Sequence, residues 1–132
     1  MTVVRAWRGQ VANAELNTLH AEGFDHLLVD ADWEGQLAGH SLGWVVARDK
    51  GRLVGFVNVA WDGGVHAFLL DTVVAVSHRG RGVGKALVQA AGDGAAKAGC
   101  GWLHVDWDSD LDPFYIDACG FTSTAAGLQA LR

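Results

Sequence analysis

Arg79, Arg81 and Lys85 are interleaved with Gly80, Gly82 and Gly84 in the stretch SHRGRGVGKAL, residues 77–87. Glycine carries no Cβ, so a backbone rich in it can close tightly around a ligand. The stretch lies between an apolar run and a helical pattern. It therefore presents the unpaired N–H groups of a helix start, at the positive end of the helix dipole. With three cations at the rim, those N–H groups suit a compact anion such as a phosphate or diphosphate. Two well-known nucleotide-binding patterns do not fit. A P-loop requires a glycine five residues before Gly84 and a Ser or Thr after the lysine; Arg79 and Ala86 stand there. A dinucleotide-binding fold requires G-x-G-x-x-G in an early βαβ unit; here the spacing is G-x-G-x-G, in the second half of the chain.

The elements around this loop follow from hydrophobic periodicity. Residues 65–76, VHAFLLDTVVAV, are a nearly continuous apolar run and predict a central strand buried on both faces. After the loop, Val83, Leu87, Val88, Ala91 and Ala95 recur at helical spacing, with Gly99 or Gly101 as the stop. Residues 102–108 alternate as a strand, with Leu103, Val105 and Trp107 on one face. In DPFYIDACG, residues 112–120, Asp112 reads as a helix N-cap, Pro113 as the first helical residue and Gly120 as the stop. Upstream, residues 2–8 predict a strand, 11–22 a helix stopped at Gly23, and 43–48 and 52–61 two strands joined at a hairpin turn. Residues 24–40 have no clean period and read as an acidic loop with one turn of helix; the tail GLQALR reads as a short last strand. The order is α/β with a mixed sheet, in a single domain over residues 1–132.

Composition narrows the partners. Ten basic residues against fifteen acidic give a formal charge of −5, which argues against a broad nucleic-acid-binding face. Cys100 and Cys119 form no CxxC pair and read as reduced, buried thiols. Neither a signal-length apolar stretch at the N-terminus nor a membrane-length apolar window is present, so a cytoplasmic protein with no membrane partner is expected. Six histidines show no metal-ligand spacing, and no metal is expected.

Arg79-x-x-Gly82-x-Gly84, together with DLDPFYIDACGF at 110–121, resembles the signature of the GNAT superfamily of N-acetyltransferases, Gln/Arg-x-x-Gly-x-Gly/Ala followed by a Phe-Tyr and a Gly-Phe. The resemblance covers about residues 67–121. It implies a mixed, mostly antiparallel central sheet of about six or seven strands, flanked by about three or four helices and splayed between strands four and five. It implies acetyl-CoA as cosubstrate and a primary amine of a small molecule or peptide as acceptor. By position, Val73 and Val74 would offer backbone groups to the pantetheine arm. Arg79, Gly80, Arg81, Gly82, Val83, Gly84 and Lys85 would wrap the pyrophosphate. Tyr115 would protonate the departing thiolate, and Asp71 is the first choice of base, followed by Asp106, Asp108, Glu34 and His104.

Three departures from the family pattern stand out. Asp108 holds the place of an asparagine that contacts the cofactor in the family. Val76 replaces a proline. Four residues, not three, separate Tyr115 from Gly120. Asp25, Asp30, Asp32 and Glu34, with Trp33, Trp44, Trp61 and Trp107, would form an acceptor wall for a cationic amine. The alternative is a non-catalytic acyl-CoA-binding or regulatory module on the same fold. A monomer or a homodimer fits either reading.

Overall fold

A type I′ turn at Lys50-Gly51, with φ of 51° and 82°, joins the two strands at the centre of the sheet. Lysine and glycine both in the left-handed region match the twist of the strands they connect. The computed structural model describes residues 2–132. The chain runs β1 (Val3–Trp7), α1 (Asn13–Phe24), α2 (Trp33–His40), β2 (Ser41–Asp49), β3 (Arg52–Trp61), β4 (His66–Val74), α3 (Val83–Lys97) and β5 (Trp102–His104). A short π-helical segment, Pro113–Ala118, follows. The sheet order is β1-β2-β3-β4-β5, antiparallel except for the parallel pair β4 and β5.

Helices cover both faces. On β3, a Cβ at Gly55 would meet Leu87 and Val83 of α3, whereas the next residue, Phe56, packs edge-on against Trp33 of α2. Successive strand residues point to opposite faces, so α3 lies on one side and α2 on the other. Phe56, Leu16, Leu37 and Leu87 are fully buried in the core between them. Arg48 of β2 fastens α1 to the sheet with a two-pronged pair to Glu15, Nη1–Oε1 at 2.9 Å and Nη2–Oε2 at 2.7 Å.

Several expectations change. The sheet has five strands, not six or seven. Pairing between β4 and β5 stops at Phe68↔His104, so residues 105–108 have no neighbouring strand to join, although Val105 and Trp107 stay half-buried as the alternation predicted. The described tail 122–132 also holds no strand, and its Leu128 and Leu131 are exposed. Residues 33–40 form a two-turn helix where a loop with a single helical turn was expected, because Asp32 caps it by accepting from the Gly35 N–H. Gly23 lies inside α1, not at its end: a Cβ there would stand 2.0 Å from Val73 Cγ2, so glycine lets the helix lie directly on β4. The helix stops two residues later at Asp25, in the left-handed conformation. β4 is not buried on both faces, since Phe68 and Leu70 are 38% and 41% exposed; they lie on the stretch where β5 leaves it.

The fold has an acid-sensitive component. The Arg48 hydrogen bond holds the Glu15 carboxyl below the usual carboxylate range, and the His78 hydrogen bond does the same for Asp49. A carboxyl whose folded pKa is depressed contributes stability that is present above its unfolded value, about 4, and is lost as pH falls through the folded value. Urea midpoints should therefore drop between pH 7 and pH 3, and the drop should shrink in Glu15→Gln combined with Asp49→Asn. An equal drop in both proteins would contradict this assignment.

Candidate active site

The parting of β4 from β5 opens a cleft of about 290 Å³. Leu69, Asp71 and Thr72 line it from β4; Val105, Asp106, Trp107 and Asp108 from the segment after β5; Tyr115 from the π-helical segment. A regular strand would send Asp71 and Thr72 to opposite faces. Here Asn58 pairs with Leu70 and Phe56 with Val73, so Asp71 and Thr72 together oppose one residue, Val57. This is a β-bulge, with Asp71 at φ 58°, and it turns both side chains toward the cleft. Aspartate tolerates the left-handed region better than most residues, so the bulge and the carboxylate come from one position.

Tyr115 is buried and stacks on Trp107, centroids 5.0 Å apart at 20°. The Trp107 indole donates to Asp112 Oδ1, so Asp112 anchors the tryptophan and makes no side-chain cap for the helix it precedes. Desolvation pushes the Tyr115 phenol above its ordinary value, against a smaller opposing effect of its hydrogen bond with Thr72. A phenol held protonated beside a cleft is a proton donor in waiting. The fourth residue between Tyr115 and Gly120 is absorbed by the π winding, in which Cys119 N–H bonds the carbonyl of Phe114 five residues back at 3.0 Å.

The glycine-rich loop stands at the far end of β4. Gly80 and Gly82 have φ of 72° and 79° and face open space. Gly82 caps α3 without a side chain, and the first intrahelical bond runs from Ala86 N–H to Gly82. That leaves the N–H groups of Val83, Gly84 and Lys85 outside the helical ladder. Val83 is buried, Lys85 is exposed, and Arg81 lies on the exposed loop. Gly84 has a packing reason as well: a Cβ there would press on Phe114 at 3.2 Å. The Arg79 guanidinium does not point into the loop. It bonds the carbonyls of Gly23 at 3.0 Å and Val74 at 3.4 Å, pinning α1 to the end of β4. The loop is tethered from below by buried His78, whose Nε2 lies 2.8 Å from Asp49 Oδ2. Val73 is buried under α1 and Val74 is half-buried, while on the β5 side the main chain of β4 beyond Phe68 is unpaired by that strand.

Tyr115, Asp71, Asp106, Asp108 and Trp107 thus share one cleft, and residues 79–85 form the loop beyond β4 and the first residues of α3. The remaining residues considered from sequence are dispersed. Asp32 is a helix cap. Glu34 lines a separate groove with Gln10, Glu15 and Arg48. Trp33 is core, donating to Asn17. Trp44 donates to the Gly9 carbonyl. His104 pairs with His66 and stacks on Phe68. Thr72 and His20, which contact Tyr115 and Asp71, were not found from sequence; His20 is 51 residues from its partner and no local pattern announces it. Among the described residues, no group of three or more His, Cys, Asp or Glu side chains is placed to hold a metal ion, and no helix is long and apolar enough to cross a membrane.

A sequence model described as the Acetyltransferase (GNAT) family matches residues 9–121. The chain belongs to the GNAT acetyltransferase family. The fold of this GNAT domain is also that of solved structures at low identity. A GNAT-family acetyltransferase of Streptococcus pneumoniae is 17% identical with a TM-score of 0.80, covering 99% of this chain and 98% of that one. Glucosamine-6-phosphate N-acetyltransferase of Arabidopsis thaliana is 16% identical, TM-score 0.77, covering 98% of each chain. AAC(6')-Iy, in complex with the bisubstrate analogue CoA-S-monomethyl-acetylneamine, is 19% identical, TM-score 0.73, covering 100% of this chain and 99% of that one. Among curated proteins, none matches the chain.

The bulge makes a sharp stability prediction. Asp71→Asn should melt close to the parent, because asparagine also accepts positive φ. Asp71→Val should cost about 1–2 kcal/mol or more, the penalty of a bulky residue in the left-handed region. Equal melting temperatures for the two variants would show that the bulge does not depend on this residue.

Proposed function

We propose that this GNAT domain transfers the acetyl group of acetyl-CoA to a primary amine by direct attack, with no covalent enzyme intermediate. The observation that supports it is the convergence of Asp71, Asp106, Asp108 and Tyr115 on one cleft, on the strand that ends in an anion-binding loop. Three carboxylates make that cleft attractive to an ammonium group. The loop, a few residues along β4, is built for the opposite charge.

In this reading the main-chain N–H groups between Gly80 and Lys85 receive the diphosphate of the cosubstrate, with Arg81 and Lys85 supplying charge. Arg79 contributes through its main chain and by bracing the loop. Val73 and Val74 offer main-chain groups to the pantetheine amides along the edge that β5 has left, in the manner of an added strand. The amine binds as its ammonium against the acidic wall. Asp71 accepts a proton, leaving the electron pair on nitrogen. The nitrogen attacks the thioester carbon, the C–S bond breaks, and the thiolate takes the Tyr115 proton; the second proton that the new amide nitrogen sheds then passes through water to the Tyr115 phenolate and restores the phenol. Positioning supplies much of the rate, since the thioester is already activated. Asp108, where relatives carry asparagine, belongs to the acceptor wall in this scheme as well as lying near the cosubstrate. The two free thiols, Cys100 and Cys119, half-buried where full burial was expected, fit a reducing compartment such as the cytoplasm.

CoA release should be measured with acetyl-CoA and a panel of polyamines, aminoglycosides and amino acids. At least one amine should sustain turnover, and Tyr115→Phe should lower kcat about 10- to 1000-fold with little change in acetyl-CoA affinity. Binding of acetyl-CoA without turnover on any amine would favour the non-catalytic module. Full turnover in Tyr115→Phe would remove the phenol from the mechanism.

A further inference from the structure

Asp71 does not stand alone. His20 Nε2 lies 3.0 Å from Asp71 Oδ1, His20 Nδ1 lies 2.7 Å from His26 Nε2, and His26 Nδ1 lies 2.7 Å from the Leu27 carbonyl oxygen. The two ends of this chain, a carboxylate and a carbonyl, only accept hydrogen bonds. Its three contacts therefore need three bridging protons, and two neutral imidazoles bring two between them. The row of side chains is one proton short, and one more proton satisfies every contact in it. We infer that Asp71, His20 and His26 form a proton relay that takes the ammonium proton of the acceptor from the cleft and delivers it to solvent at His26. The inference rests on the acetyl-transfer reading above and deepens it.

The surroundings fit a shared positive charge. Asp71 faces the cleft, His20 is half-buried and His26 is exposed, so the row leads from the reaction space to water. His26 lies just past the end of α1, where the helix dipole favours a cation. The His20 ring is held by Phe24 at 4.5 Å and by Trp33 of α2 at 5.3 Å between centroids. The charged groups of the neighbouring elements are Asp71 of β4; Glu22 of α1, whose carboxylate accepts from Val76 N–H; Asp25, next to His26 at the end of α1; Glu15, paired with Arg48; Glu34 of α2, in the separate groove; and Arg79, whose guanidinium is bonded to the Gly23 carbonyl. In the transfer, an N–H bond of the ammonium breaks and its electron pair stays on nitrogen. The proton passes through the Asp71 carboxylate to His20 Nε2, and His20 then donates in both directions as an imidazolium. A proton leaves His26 to water, which restores the charge and proton count of the row, and the two rings then return to their starting tautomers by exchange with water. His20 and His26 act through Asp71 and are positioning residues.

The test compares pH profiles of wild type, His20→Gln and His26→Gln, using the amine that gives most turnover in the CoA-release panel. Glutamine at position 20 can still donate to Asp71 but cannot take up a proton. Without the His20 ring the proton acceptor is a carboxylate alone, an intrinsically weaker base than an imidazole. In His20→Gln the acidic limb of kcat/KM should move down by about one unit or more and kcat should fall about tenfold, with the KM for acetyl-CoA unchanged. His26→Gln should move the limb the same way by less. A limb unmoved in both variants, with wild-type turnover intact, would overturn the relay and leave the acetyl-transfer reading standing. No wild-type turnover with any amine would overturn that reading and the relay's catalytic role with it. An activity-free readout tests the network itself: in NMR spectra Asp71→Asn should change the ring-nitrogen signals that report the His20 and His26 tautomers, and unchanged signals would show that the three groups do not share protons.

Discussion

β4 and β5 share three residue pairs and then part, and most of the functional architecture follows from that separation. Two parallel strands that stay paired leave no room between them. Two that diverge leave a wedge with an open strand edge on one side and side chains on both walls. The bulge at Asp71 lies on the free stretch, where an extra residue disturbs pairing on the β3 side alone. The segment after β5, released from the sheet, turns into the 3-10 turn and the π-helical segment that carry Asp108 and Tyr115 to the opposite wall.

The same strand carries two opposite charge environments. Its bulge and the facing wall hold carboxylates; its far end opens into a loop with glycines at positive φ and a helix start. Placing an anion site and an acidic cleft on one rigid element fixes the distance between them. A ligand that is anionic at one end and must meet a cation at the other matches this layout. The packing around β4 protects the arrangement. Gly23 lets α1 lie against Val73, Arg79 ties the end of that helix to the strand, and His78 with Asp49 holds the loop to the neighbouring hairpin. These are contacts between main chain, buried ring and charge, and they leave Gly80 and Gly82 facing open space.

Much of this was legible in the sequence. Glycine spacing located the loop, apolar periodicity located β4 and α3, and the Phe-Tyr with its following Gly-Phe located the wall opposite Asp71. What was not legible has physical reasons. A bulge depends on how two strands pair, and the run VHAFLLDTVVAV reads the same with or without one. Gly23 looked like a stop because glycine serves both helix ends and close contacts, and local sequence does not separate the two uses. α2 was hidden by its two glycines and its lack of a clean apolar period, with a cap, Asp32, that read as one more loop acid. The acidic residues 25–34 looked like an acceptor wall by charge, yet Asp32 and Glu34 serve or neighbour the start of α2, while the cleft draws its acids from β4 and from residues 106 and 108. The contact of His20 with Asp71 links residues far apart in the chain and needed coordinates to be seen.

The central claim is that acetyl-CoA lies along β4 with its diphosphate in the loop. Backbone amide NMR of the labelled protein, titrated with acetyl-CoA, tests it most directly. The account predicts saturable shifts concentrated at residues 69–74 and 80–85. Shifts confined to the separate groove around Gln10, Glu15 and Arg48, or no shifts at all on folded protein, would contradict it.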